Sequence, residues 1–194
     1  TETDIPPGVL NVVTSSDHAL GAALSTDPRV DLVSFTGSTA TGRKVMAAAS
    51  ETLKKVFLEL GGKSAFVVLD DADMAAAVGM AAFAVCVHAG QGCALTTRLL
   101  LPRSRFDEGV EAAAATMASL APGDPTDPGT ICGPLISARQ RERVEGYLAL
   151  AREEGGSFAC GGGRPADRDV GFFVEPTLIV GVGNDARVAR EEIF

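Results

Sequence analysis

One cysteine, one glutamate and one glycine-rich turn stand in settings that could do chemistry. Cys93 lies in Ala89-Gly90-Gln91-Gly92-Cys93-Ala94-Leu95-Thr96-Thr97, between a helical stretch and an apolar run. The flanking glycines allow another molecule to approach the backbone closely, and a thiolate at such a turn is a nucleophile. Free cysteine is more often a small buried hydrophobe, which is the reading for Cys86, Cys132 and Cys160. His88, five residues before Cys93, raises a Cys–His hydrolase dyad, but at a helix end it reads as a local polar residue. Glu59 stands in Val56-Phe57-Leu58-Glu59-Leu60-Gly61-Gly62-Lys63-Ser64. A carboxylate inside an apolar run before a double glycine has a raised pKa suited to base work, pairs with a cation such as Lys63, or simply faces water from an edge strand. The third segment, Val33-Ser34-Phe35-Thr36-Gly37-Ser38-Thr39-Ala40-Thr41-Gly42, reads as a strand, a turn and a helix start. That arrangement aims backbone N–H groups and a helix dipole at a phosphate, or makes a plain turn. It is not a P-loop, because Arg43-Lys44 follows Gly42 where Lys and then Ser or Thr belong. Nor is it the dinucleotide fingerprint, since Thr39 stands where the second glycine belongs.

The elements that must hold these residues alternate. A β-branched run at 9–13 predicts a strand leading to a helix at about 17–25, and Val30 to Phe35 predicts a second strand. A helical pattern runs from the turn to about Ser50, and Lys55 to Leu60 is a third strand. Strand, helix, strand, helix, strand is the unit of a parallel sheet, so the fold class is α/β. Then follow a strand at 65–69 and a helix to about His88, with Asp70, Asp71 and Asp73 at its positive end. A buried strand is predicted at 97–102 and a helix at about 104–120. Residues 121–135 read as a long loop, 137–154 as a polar helix, Gly155 to Gly163 as the frame of a short strand, and 172–180 as another strand.

The composition, 46% apolar and 22% charged over 194 residues, is that of a globular α/β protein. A net charge of −8 with scattered Lys and Arg argues against nucleic acid or an anionic membrane held by bulk electrostatics. No apolar stretch reaches a span's length and the N-terminus has no signal-like pattern, so the chain reads as cytoplasmic. Four cysteines without a CxxC pair suggest neither zinc nor a disulfide framework. The absence of an initial Met and the stop at Glu191-Glu192-Ile193-Phe194 read as those of a fragment.

The three segments in this order resemble the aldehyde dehydrogenase superfamily, along essentially the whole chain. Leu58-Glu59-Leu60-Gly61-Gly62-Lys63-Ser64 is similar to the family's glutamate motif without departure, and Gly90-Gln91-Gly92-Cys93 to its cysteine motif, with Gly92 and Leu95 the looser matches. The resemblance implies a general base at Glu59, a nucleophile at Cys93, and NAD or NADP as cofactor. Phe35-Thr36-Gly37-Ser38-Thr39 with Gly42 resembles the pyrophosphate turn, which implies cofactor contacts at Gly37, Ser38, Thr41 and Gly42, with Leu60 from the glutamate motif. Glu192-Ile193-Phe194 is similar to the start of a later motif, implying a ribose contact at Glu192 and a nicotinamide neighbour at Phe194. The fold implied is part of a Rossmann-like parallel sheet followed by most of a catalytic domain: residues 1–60 as the C-terminal half of the dinucleotide-binding domain, 61–194 as a truncated catalytic domain. Glu59 and Cys93 are expected to meet where these join.

The chemistry implied is oxidation of an aldehyde to a carboxylate through a thiohemiacetal and thioester on Cys93, hydrolysed by water that Glu59 activates. The family's oxyanion amide comes from an earlier segment, and Asn11 and Asn184, the two asparagines here, lie outside that motif. The resemblance also implies a full-length homodimer or homotetramer acting on a small aldehyde, with no metal. Two other readings stand beside it: a CoA-acylating relative, against which Glu59 argues, and a catalytically inactive fragment or non-enzymatic truncated homologue. The isolated chain is expected to turn over little or no aldehyde.

Overall fold

A computed structural model describes residues 4–194. The chain divides into two compact units, the first closing at Gly61 and the second running Gly62–Phe194.

The first unit is a strand–helix–strand crossover with one leading helix, α1 (Ala19–Thr26). Strands β1 (Leu32–Gly37) and β2 (Lys55–Leu60) pair in parallel from Leu32 opposite Lys55 to Gly37 opposite Leu60. The helix α2 (Thr39–Ser50) connects them, as a parallel pair requires. Both strands alternate between exposed and half-buried positions, so Val56, Leu58 and Leu60 face one way and Lys55, Phe57 and Glu59 the other. The end of α1 is closed from a distance: buried Lys54 donates through Nζ to the carbonyls of Leu24 at 3.3 Å and Asp27 at 2.6 Å.

Residues 9–13 are not the strand their β-branched run predicts. Val9, Leu10, Val12 and Val13 are all more than two-thirds exposed. A strand is a hydrogen-bonded ladder, and no ladder partner for this run exists among the described residues.

In the second unit β3 (Ala65–Val67) pairs in parallel with β4 (Arg98–Leu100), joined through α3 (Met74–Cys86). Asp73, one of the three aspartates expected at this helix end, is its cap, accepting the Ala76 N–H at 3.1 Å. Helix α4 (Phe106–Ser119) packs on α3, and Val68, Met74, Val78, Ala82, Cys86, Ala113 and Met117 form the core between them. Helix α5 (Ala138–Glu153) is capped by Ser137, which accepts the Gln140 N–H at 3.2 Å. The antiparallel pair β5 (Ser157–Cys160) and β6 (Leu178–Val180) and the single turn α6 (Arg187–Arg190) complete the unit.

The strand predicted at 172–180 survives only at 178–180. Pro176 has no N–H for a ladder, and Phe172 and Phe173 instead lie under the guanidinium groups of Arg141 and Arg168, at 5.7 and 5.4 Å. The architecture is thus α/β, with two parallel strand pairs and one antiparallel pair among the described residues. Among the described residues no helix is long and apolar enough to cross a membrane.

Candidate active site

The thiol of Cys93 is presented by a tight, partly strained turn. Helix α3 ends at Cys86, and a 3-10 segment, Val87–Gly90, follows. Within it His88 and Ala89 are left-handed, with φ of 53° and 55°, and Gly90 follows at 75°. A side chain in this region costs on the order of 1–3 kcal/mol, and two such residues in succession persist only where other contacts hold them. The carbonyl of His88 accepts the Gln91 N–H at 3.1 Å, and that of Gly92 accepts the Leu95 N–H at 3.2 Å, so Cys93 and Ala94 form the crest of a turn. His88 thus serves the turn through its backbone. Cys93 is exposed, whereas Cys86 and Cys132 are buried and Cys160 is half-buried. Burial pushes the Cys86 thiol up to about 12, helped by the neighbouring Cys132 and Cys160, and burial also raises Cys132 and Cys160. Those three stay protonated.

The Gly37–Gly42 turn is built from its own residues. Ser38 caps α2: its hydroxyl accepts the Thr41 N–H at 3.2 Å and donates to the Thr41 hydroxyl at 3.0 Å. The Ser38 carbonyl accepts the Gly42 N–H at 2.9 Å. Gly42 is buried under Leu60 of β2, and a Cβ added there would lie 2.6 Å from a Leu60 methyl. Absence of a side chain therefore sets how closely helix and strand pack.

Glu59 is exposed on β2, on the face opposite Leu58 and Leu60. Among the described residues of its own unit it forms no ion pair, and Lys63 belongs to the second unit. Burial pulls Lys63 down to about 8, Arg98 adds to this and Glu192 opposes it.

The last residues are tied to α5. Arg143 donates through Nη2 to the Glu192 carbonyl at 2.7 Å and through Nε to the Ile193 carbonyl at 2.8 Å. Gln140 donates to the carbonyls of Ile193 and Phe194. Tyr147, under Arg143, gives its hydroxyl proton to Glu191 at 2.8 Å, and Arg187 pairs with the same carboxylate at 2.9 Å. Glu154 accepts the N–H groups of Arg187 and Val188 at 2.8 and 3.1 Å. Ile193 and Phe194 line a cavity of about 450 Å³, as do Lys63, Arg98 and Thr97.

The sequence profile of the aldehyde dehydrogenase family matches residues 1–194. The chain belongs to that family. A 3-succinoylsemialdehyde-pyridine dehydrogenase of a Pseudomonas species is 43% identical over 194 residues, covering all of this chain and 41% of the relative. Among solved aldehyde dehydrogenases, a Cys-to-Ala variant of aldehyde dehydrogenase C from Pseudomonas syringae, in complex with NAD+ and octanal, superposes with a TM-score of 0.94 at 39% identity, over 97% of this chain and 39% of that one. One from Mycobacterium tuberculosis, complexed with NAD+, is 51% identical at a TM-score of 0.86, over 89% and 36%. The chain thus spans about 40% of the length of the curated aldehyde dehydrogenases it matches.

The motifs do not announce the side chains that tie these segments together, Gln91, Gln140, Arg143 and Tyr147. Gln91 was visible only as a motif letter. Its partner, the Ile136 N–H at 3.0 Å, lies 45 residues on, and no local pattern announces such a pairing.

Proposed function

We propose that this chain supplies the nucleophile and general base of an NAD(P)-dependent aldehyde dehydrogenase that oxidises a small aldehyde to a carboxylate. The observation that carries this is the setting of Cys93: alone among the four cysteines it is exposed, on a glycine-flanked turn, in a chain that belongs to this family. The Cys93 thiolate adds to the aldehyde carbon, and the Cys93 backbone N–H meets the developing oxyanion. When bound, NAD(P)+ accepts the hydride that turns the thiohemiacetal into a thioester. Glu59 takes a proton from water, the water adds to the thioester carbonyl, and the Cys93 thiolate leaves with the carboxylic acid released.

The residues present fit the dinucleotide. The Ser38 hydroxyl and carbonyl occupy the N–H groups of Thr41 and Gly42. Those of Thr39 and Ala40 remain for an anion at the positive end of a twelve-residue helix that carries no acidic side chain in its first turn. Gly37, Ser38, Thr41, Gly42 and Leu60 are assigned to the pyrophosphate side, and Glu192 and Phe194 to the nicotinamide side. The solved relatives in complex with NAD+ favour that cofactor. We read residues 1–60 as part of the dinucleotide-binding domain and 61–194 as catalytic. The 194 residues alone, at about 40% of their relatives' length, are expected to turn over little aldehyde, so the assays belong to the full-length protein.

The test is a product assay with and without coenzyme A. Carboxylate and reduced cofactor formed without coenzyme A support the proposal; turnover that depends on coenzyme A overturns hydrolysis by Glu59.

A further inference from the structure

Gln91 stands two residues before Cys93, separated only by Gly90 from the strained pair His88 and Ala89. Its half-buried side chain reaches out of its own segment, where Oε1 accepts the Ile136 N–H at 3.0 Å. The donor is a backbone amide, so the side-chain amide is oriented with its oxygen towards it. The side chain of Ile136 is exposed, but the backbone on either side of it is anchored. The preceding Leu135 is buried, with its N–H on the Phe172 carbonyl at 3.0 Å, and the following Ser137 caps α5. The same stretch then holds the far side of the site, because Gln140 and Arg143 grip the carbonyls of Glu192, Ile193 and Phe194. Eight residues, 136–143, therefore bind both the nucleophile turn and the terminal segment.

We propose that Gln91 is a positioning residue: it locks the strained Cys93 turn to the start of α5, which also clamps Glu192–Phe194, so that thiol and cofactor segment share one frame. This rests on the aldehyde dehydrogenase reading above. Left-handed His88 and Ala89 favour relaxation of the turn, and the Gln91 tie opposes it. A thiol held in attack geometry gains its rate from that geometry, so loss of the tie slows chemistry and leaves cofactor binding unchanged.

In the full-length protein, Gln91→Met keeps the side chain's length and removes the acceptor, whereas Gln91→Glu keeps the acceptor. Three quantities are read: the pre-steady-state burst of reduced cofactor against pH at saturating cofactor, the cofactor Kd, and hydrogen exchange of the Ile136 amide. Gln91→Met is expected to lower the high-pH plateau of the burst about tenfold, the factor one net hydrogen bond represents, with Kd unchanged and the Ile136 amide exchanging faster. Gln91→Glu is expected to restore the plateau and the protection, while its added charge moves the pH midpoint upwards. An unchanged plateau in Gln91→Met, or a plateau that falls equally in Gln91→Glu, overturns the positioning role. Absence of any aldehyde-dependent reduced cofactor in the unmutated protein overturns the proposed function and the role with it.

Discussion

The Gly37–Gly42 turn and the Cys93 turn follow different building rules. The first is assembled from neighbours in sequence: Ser38 caps the helix three residues ahead, and Gly42 rests under Leu60 of the paired strand. The second is not self-supporting. It contains two left-handed non-glycine residues and depends on a backbone amide 45 residues away. A dinucleotide turn needs only N–H groups aimed at an anion, which one capped helix supplies. A nucleophile needs a fixed position relative to cofactor and substrate, and that calls for anchors from several parts of the chain.

The largest separation between the two turns is chemical. Cys93→Ala in the full-length protein is expected to lower kcat on the order of a millionfold, the scale seen when a covalent nucleophile is removed, with cofactor binding retained. Cofactor titration alongside the rate assay checks both halves. At the other turn, Gly42→Ala drives a Cβ to within 2.6 Å of Leu60. Overpacking of about 2 kcal/mol against a helix-propensity gain of about 1 kcal/mol leaves a net loss of about 1 kcal/mol. Denaturant unfolding measures it, and Leu60→Ala in the same chain should shrink the Gly42→Ala effect. Ser38→Ala removes the cap and is expected to cost about 1 kcal/mol of stability, as a shift in Tm with cofactor affinity weakened alongside.

The smallest effect is a difference in pH response. Arg187 first and then Tyr147 hold the Glu191 carboxyl down to about 2. A depressed carboxylate stabilises the fold above its unfolded value, near 4.5, and that contribution is lost as pH falls towards 2. The 187–194 segment should therefore loosen over this window, visible in NMR titration of its amides. The Ser38 cap has no titrating group and should not respond. Glu191→Gln should remove the window.

The same contrast explains what could be seen in the sequence. Strand β2 spans the residues predicted for it, and the Gly37–Gly42 turn was legible as strand, turn and helix start, because its signals are local. Cys93 was legible as the crest of a glycine-flanked turn, and its exposure sets it apart from Cys86, Cys132 and Cys160 as expected. Residues 9–13 misled because β-branched composition reports suitability for a strand and says nothing of a partner to pair with. The α5 ties to Glu191–Phe194 come from side chains that look like an ordinary charged helix face, so spacing alone could not separate Arg143 from Arg139 or Arg141.

Cys93 is proposed to carry the acyl group and Glu59 to release it. The most direct measurement is mass spectrometry of full-length Glu59→Gln protein after mixing with aldehyde and NAD+. A burst of reduced cofactor, slow turnover, and an acyl mass on the peptide bearing Cys93 alone are expected. An acyl group on Cys86, Cys132 or Cys160, or unimpaired steady-state turnover by Glu59→Gln with no trapped acyl group, would contradict it.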